Sequence, residues 1–167
     1  MRNIELKARL TDRARALATC IQLGARPCGD IHQIDTYFNV PHGRLKLREA
    51  TPGPCELVHY HRPDTPGPKG CDYTLHPADP TIKPLLTDAL GVLTTVDKIR
   101  TLYLWQNVRI HLDTVHRLGT FIEFEAVLDD HHDDADGQAK LNHLIQAFHL
   151  RPEDHLAHSY LDLTLHP

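Results

Sequence analysis

A charged or amide side chain alternates with a hydrophobic one in five stretches of this 167-residue chain. Asn3, Glu5, Lys7 and Arg9 interleave with Ile4, Leu6, Ala8 and Leu10. Gln33, Asp35, Tyr37 and Asn39 interleave with Ile34, Thr36, Phe38 and Val40. Arg44, Lys46 and Arg48 flank Leu45 and Leu47, and Arg109, His111 and Asp113 flank Ile110 and Leu112. Glu123 and Glu125 sit among Ile122, Phe124 and Ala126. A period of two turns successive side chains to opposite faces, so these stretches are β-strands.

The rest of the chain extends that pattern. Strands are expected near 2–10, 32–40, 44–50, 55–62, 71–76, 94–105, 107–115 and 120–128. Pro41-His42-Gly43 makes a tight turn between two of them, and three prolines and two glycines make Pro63 to Gly70 a loop. Helices are expected over 12–23, 79–90, 137–149 and 158–164, the first two ending at Gly24 and Gly91. Asp129 to Asp136 reads as a solvated acidic loop carrying two histidines. Most connections are too short for parallel crossovers, so the strands pair antiparallel. The expectation is one α+β domain spanning 1–167.

Composition narrows the function classes. A hydrophobic fraction of 41% is ordinary for a globular chain, and no apolar run is long enough to span a membrane. Net charge is −4, which argues against bulk binding to nucleic acid or a membrane surface, so any anion site is local. Few aromatics (6%) argue the same way for nucleic acid. The sequence opens on a strand, so no signal peptide is expected. Cys20, Cys28, Cys55 and Cys71 show no CxxC spacing and read as reduced thiols, which suits a cytoplasmic location.

Ordinary half-buried strands carry a mixed polar face toward water. Here one face returns to Arg and Lys on some strands and to carboxylates on others. If the sheet closes with that face inward, Lys7, Arg44, Lys46, Arg48, Lys98 and Arg100 line its interior, and Arg62 and Arg109 can join them. Glu5, Asp113, Glu123 and Glu125 are the inward carboxylates. Four carboxylates do not offset eight cations, so a bound polyanion is the missing partner. Phosphate suits Arg by bidentate bonding and Lys as a point charge. The Glu-x-Glu pair with Asp113 offers the hard oxygens that Mg²⁺ or Mn²⁺ takes. Set against this, Trp105 reads as outer-face packing on a helix, Lys69 as a surface residue on a mobile loop, and His111 as a hydrogen-bonded histidine in phase with Arg109 and Asp113.

The ordered series Asn3-Ile4-Glu5-Leu6-Lys7, Gln33 to Phe38, Gly43 to Glu49, Tyr60-His61-Arg62-Pro63-Asp64, Lys98-Ile99-Arg100, His111-Leu112-Asp113, Leu118 to Glu125 and Ser159 to Asp162 resembles the CYTH superfamily, the triphosphate tunnel metalloenzymes. Within it the pattern is most similar to the class IV adenylate cyclase branch. The resemblance implies a closed eight-stranded antiparallel β-barrel, a tunnel, with helices packed outside. It implies triphosphate contacts from Lys7, Arg44, Lys46, Arg48, Arg62, Lys98 and Arg100, to which the strand phase adds Arg109. Metal ligands would be Glu5, Asp113, Glu123 and Glu125, with Glu5, Lys7 and Asp113 catalytic and Mg²⁺ or Mn²⁺ as cofactor. One departure is plain: Asn3 stands where the family signature ExExK has its first Glu, and an amide binds a hard cation more weakly than a carboxylate.

Three functions follow for comparison: cyclisation of ATP, hydrolysis of tripolyphosphate or another small-molecule triphosphate, and nucleotide or polyphosphate binding without turnover. Asn3 is the residue that favours the last. Apolar outer residues and strand edges would allow a homodimer.

Overall fold

Strands with one charged and one apolar face need two kinds of neighbour, and the chain supplies both by closing its sheet. In the computed structural model, which describes residues 2–63 and 65–165, eight antiparallel strands form a closed barrel. They are β1 (Arg2–Arg9), β2 (Arg26–Phe38), β3 (Arg44–Thr51), β4 (Cys55–His61), β5 (Lys69–Pro77), β6 (Val92–Trp105), β7 (Val108–Val115) and β8 (Gly119–Leu128). The order around the barrel is β1-β5-β4-β3-β2-β6-β7-β8, and β8 returns to β1. Asp64, which completes the Tyr60–Asp64 motif, lies outside the described residues.

The apolar rows face out against helices. Ile4, Leu6 and Ala8 of β1, Val108, Ile110 and Leu112 of β7, and Ile122, Phe124 and Ala126 of β8 form one buried cluster. It is covered by Ala16 and Cys20 of α1 (Arg13–Gln22) and by Leu141 and Leu144 of α3 (Asp134–Ala147). Gly137 lets α3 approach closely: a methyl group there would stand 3.0 Å from Leu128 and 3.4 Å from Ile4. Trp105 stacks on His143 of α3 with ring centroids 5.3 Å apart, the outer-face packing expected of it. α2 (Lys83–Leu90) lies between β5 and β6, and the short α4 (Tyr160–Leu165) closes the series. Among the described residues no helix is long and apolar enough to cross a membrane.

A second apolar cluster fills one end of the barrel. Tyr37, Val58, Tyr60, Val96, Val115 and Phe121 meet Tyr160 and Leu161 of α4. The segment leading into α4 is fixed to β1 by the Ala8–His155 bridge and by the Leu156 amide donating to the Lys7 carbonyl. The tunnel is therefore capped at that end by the chain's own C-terminal segment.

Several boundaries differ from the sequence reading. β2 begins at Arg26, because Pro27 and Gly29 are absorbed in an irregularity against β6 instead of ending the strand. α3 begins at Asp134, with the Asp133 side chain accepting from the Asp136 amide, so half of the acidic run is a helix start. β5 begins at Lys69, two residues earlier than expected, and Lys69 is buried: its Nζ donates to the carbonyls of Thr65, Leu156 and Ala157. It ties the loop to the C-terminal cap and is not a surface residue.

Candidate functional site

Strand register decides which inward charges meet. Glu5 lies opposite Glu125, and Lys7 opposite Glu123. Arg100 lies opposite Asp113, and Asp35 opposite Arg48. The inward face encloses a cavity of about 370 Å³. Lys7, Lys46, Arg48, Arg62, Lys98, Arg100 and Arg109 line it together with the carboxylates Glu5, Asp35, Glu56, Glu123 and Glu125.

The charges form two groups. In the first, the Asp35 carboxylate is shared by three cations. Arg48 donates to both of its oxygens, through Nε at 2.8 Å and Nη2 at 3.0 Å, and Lys46 and Lys98 each donate to Oδ2 at 2.9 Å. Burial alone would raise the Asp35 pKa, but Arg48, Lys46 and Lys98 together hold it well below the usual carboxylate range. Asp35 holds Arg48 above its ordinary range, but Lys98 has only a share of that carboxylate. Burial, with Arg48, Arg100 and Lys46 nearby, brings Lys98 down to about 7 despite Asp35.

The second group surrounds Glu123. Lys7 donates to Oε1, Arg100 donates to Oε2 at 2.7 Å, and His111 Nδ1 lies 3.1 Å from Oε2. Lys7 also sits 4.0 Å above the Tyr160 ring. Burial opposes ionisation of Glu123, yet Lys7 and Arg100 keep its pKa well below normal. Glu5 behaves in the opposite way. Burial and the charge of Glu123 raise it, although Arg62 donates to its Oε1 at 2.7 Å. Arg109 reaches Glu125 Oε2 at 3.4 Å from a half-exposed position.

Two residues expected at the site are engaged elsewhere. Both oxygens of Asp113 accept from Arg100, at 2.8 and 2.7 Å, and Oδ2 also accepts from the Tyr160 hydroxyl at 2.9 Å. Asp113 sits behind Arg100 and does not line the cavity. Arg44 Nη2 bonds both oxygens of Asp162, whose Oδ2 also caps Ser159, so Arg44 holds α4 in place.

The sequence reading left out Asp35, and with it the main internal counter-charge. The signal was present, since Asp35 alternates in phase with Gln33 and Tyr37. With Asp35 and the equally unforeseen Glu56 added, and Asp113 and Arg44 off the wall, four carboxylates against eight cations become five against seven. The excess remains cationic. Tyr160 was also left out of the site, although it lines the cavity and joins Lys7 to Asp113.

The residues suit a divalent cation. His111, Glu123 and Glu125 place ligand atoms within 4.8 Å of one another, with Glu5 opposite Glu125 in the register. Asn3 is buried, and its Oδ1 has no hydrogen-bond partner among the described residues. Crowded carboxylates and an unsatisfied oxygen donor in one cavity are what a hard or borderline cation relieves.

The chain belongs to the CYTH domain family, whose model matches residues 1–160. Among curated proteins none matches it. In fold it is similar to a Pyrococcus horikoshii protein at a TM-score of 0.81 and 22% identity, covering 96% of this chain and 98% of that one. It is also similar to a Vibrio parahaemolyticus protein described as a candidate adenylate cyclase (TM-score 0.77, 24% identity, 98% and 97% covered). A third structure, a candidate adenylyl cyclase from Hippeastrum described as having a dominant triphosphatase activity, matches at 0.64 and 16% identity, with 94% and 91% covered.

Proposed function

We propose that this chain is a metal-dependent enzyme acting on triphosphate-bearing substrates, in the manner of a class IV adenylate cyclase that converts ATP to cyclic AMP and pyrophosphate. The observation that carries this reading is the excess of cations over carboxylates on the wall of the barrel's interior cavity. Family membership and the cyclase description of the Vibrio neighbour support it. Part of the wall is apolar, with Ile31, Tyr73, Leu75 and Leu102, which suits a nucleobase better than bare polyphosphate.

In this reading Lys7, Lys46, Arg48, Arg62, Lys98 and Arg100 take the phosphate oxygens, with Arg109 toward the open end. Mg²⁺ or Mn²⁺ at Glu123 and Glu125, when bound, supplies charge withdrawal at phosphorus. Glu5, whose raised pKa fits it to hold a proton, takes that of the ribose 3′-hydroxyl. The 3′-oxygen forms its bond to the α-phosphorus while the bond to the bridging oxygen breaks and pyrophosphate leaves. Lys7 offsets the charge that develops. Asp113 is a positioning residue, acting through Arg100.

Hydrolysis is the second reading, favoured by the triphosphatase description of the Hippeastrum neighbour. Water then attacks the terminal phosphorus in the same tunnel. Purified chain with ATP or tripolyphosphate and Mg²⁺ or Mn²⁺ separates them. Cyclic AMP with pyrophosphate supports the cyclase and orthophosphate the hydrolase. Binding with no product at substantial enzyme concentration refutes both and leaves a non-catalytic binding module.

A further inference from the structure

The cluster nearest the two glutamates contains an imidazole. His111 is buried, with 3% of its surface exposed, and projects from β7 into the cavity beside β8. Its Nδ1 is 3.1 Å from Glu123 Oε2 and 3.8 Å from Glu125 Oε1. Two ligands at right angles on one ion, each about 2.1–2.2 Å from it, stand roughly 3.0 Å apart. The Nδ1–Oε2 spacing is therefore that of neighbouring ligands once an ion replaces the shared proton.

The surroundings fit. Lys7 and Arg100 fix the Glu123 carboxylate, and Arg109 approaches Glu125, so the two carboxylates are oriented by neighbouring cations. Asn3, on the same β1 row as Glu5, adds the independent observation of a buried oxygen on the same cavity wall with no partner among the described residues. Asp113 lies behind Arg100, off the cavity wall, and adds no ligand. The donor set is thus one imidazole nitrogen and two carboxylates, with the Asn3 amide oxygen elsewhere on the same cavity wall. Magnesium favours all-oxygen sites, whereas an imidazole shifts preference toward first-row transition ions.

We propose that His111, with Glu123 and Glu125, makes this a nitrogen-containing metal centre that selects a first-row transition ion over Mg²⁺. This rests on the metal part of the reading above, and its test needs neither substrate nor turnover.

Chelator-stripped chain is titrated with Mn²⁺ and with Mg²⁺ in the absence of triphosphate. Pulsed electron paramagnetic resonance of the Mn²⁺-loaded protein then reads nitrogen coupling. Expected are a ¹⁴N signal from one directly bound nitrogen and an affinity for Mn²⁺ roughly 100-fold above that for Mg²⁺. In His111→Gln the ¹⁴N signal disappears and Mn²⁺ affinity falls about 10- to 100-fold. The wild-type spectrum alone decides the matter if that variant does not fold. Absence of nitrogen coupling, Mg²⁺ bound as tightly as Mn²⁺, or no Mn²⁺ bound overturns the proposal. Triphosphate cleavage with Mg²⁺ but no nitrogen coupling overturns this inference and leaves the functional reading intact. Nitrogen coupling in a chain that binds no triphosphate does the reverse.

Discussion

Asp35→Asn tests the electrostatics of the tunnel more sharply than removal of any cation. The substitution keeps size and polarity but deletes the charge shared by Lys46, Arg48 and Lys98, all bonded to it within 3.0 Å. Asp35 is 1% exposed and Lys98 2%, so water screens an orphaned Lys98 little. Removing one partner of a buried pair costs about 3–5 kcal/mol, because the other charge is left uncompensated. For a chain of this length that corresponds to a fall in Tm of roughly 6–20 °C. Lys98, already brought down to about 7, sheds its proton readily and pulls the loss toward the lower end. Tripolyphosphate replaces the missing anion, so its stabilisation of the variant exceeds that of the wild type by most of the loss. Differential scanning calorimetry with and without tripolyphosphate measures both quantities. A Tm within about 2 °C of wild type, or an unchanged ligand-induced shift, refutes the reasoning.

Other expectations follow from the same geometry. Lys98 is brought down to about 7, and a bound triphosphate restores its proton, so binding takes up close to one proton at pH 8 and affinity falls about tenfold per unit above pH 7; calorimetry in buffers of different ionisation enthalpy detects it. For the unliganded fold the sign is set by the unfolded lysine holding its proton up to its ordinary pKa. The unfolded chain then binds more protons from about pH 7 upward, and Lys98 makes stability rise with pH across that window. Arg48→Gln removes one charge-assisted phosphate contact and weakens tripolyphosphate binding about 10- to 100-fold in a calorimetric titration, with cooperative unfolding retained. Gly43→Ala destabilises by about 1–3 kcal/mol in urea unfolding, since Gly43 has φ 66° and a methyl group there would meet His59, His61 and the Tyr60 carbonyl within 3.0 Å.

The strands were legible because alternation is local, and their closure into a barrel was what the family resemblance implied. Ile4-Glu5-Leu6-Lys7 states both that it is a strand and which face is charged, and the same holds for β3, β7 and β8. Register was not legible, since it depends on which residues meet across strands. That is why the sequence gives no sign that Asp113 is bonded to Arg100 and Tyr160, as the structure shows. His111 shows the converse, since only its neighbours on β8 turn a hydrogen-bonded histidine into a candidate ligand. Lys69 looked exposed because prolines and glycines precede it, but its amine is buried by the C-terminal segment far away in sequence. Asp35 was the avoidable omission, standing in phase on a strand already recognised.

The most direct measurement is titration of a non-cleavable ATP analogue into the wild-type chain and into Lys46→Gln and Arg100→Gln, followed by calorimetry. One-to-one binding that weakens with added salt and drops at least about tenfold in both variants is the predicted result. Undetectable binding to wild type, or unchanged affinity in variants that remain folded, contradicts the claim that the inward cations form a triphosphate site.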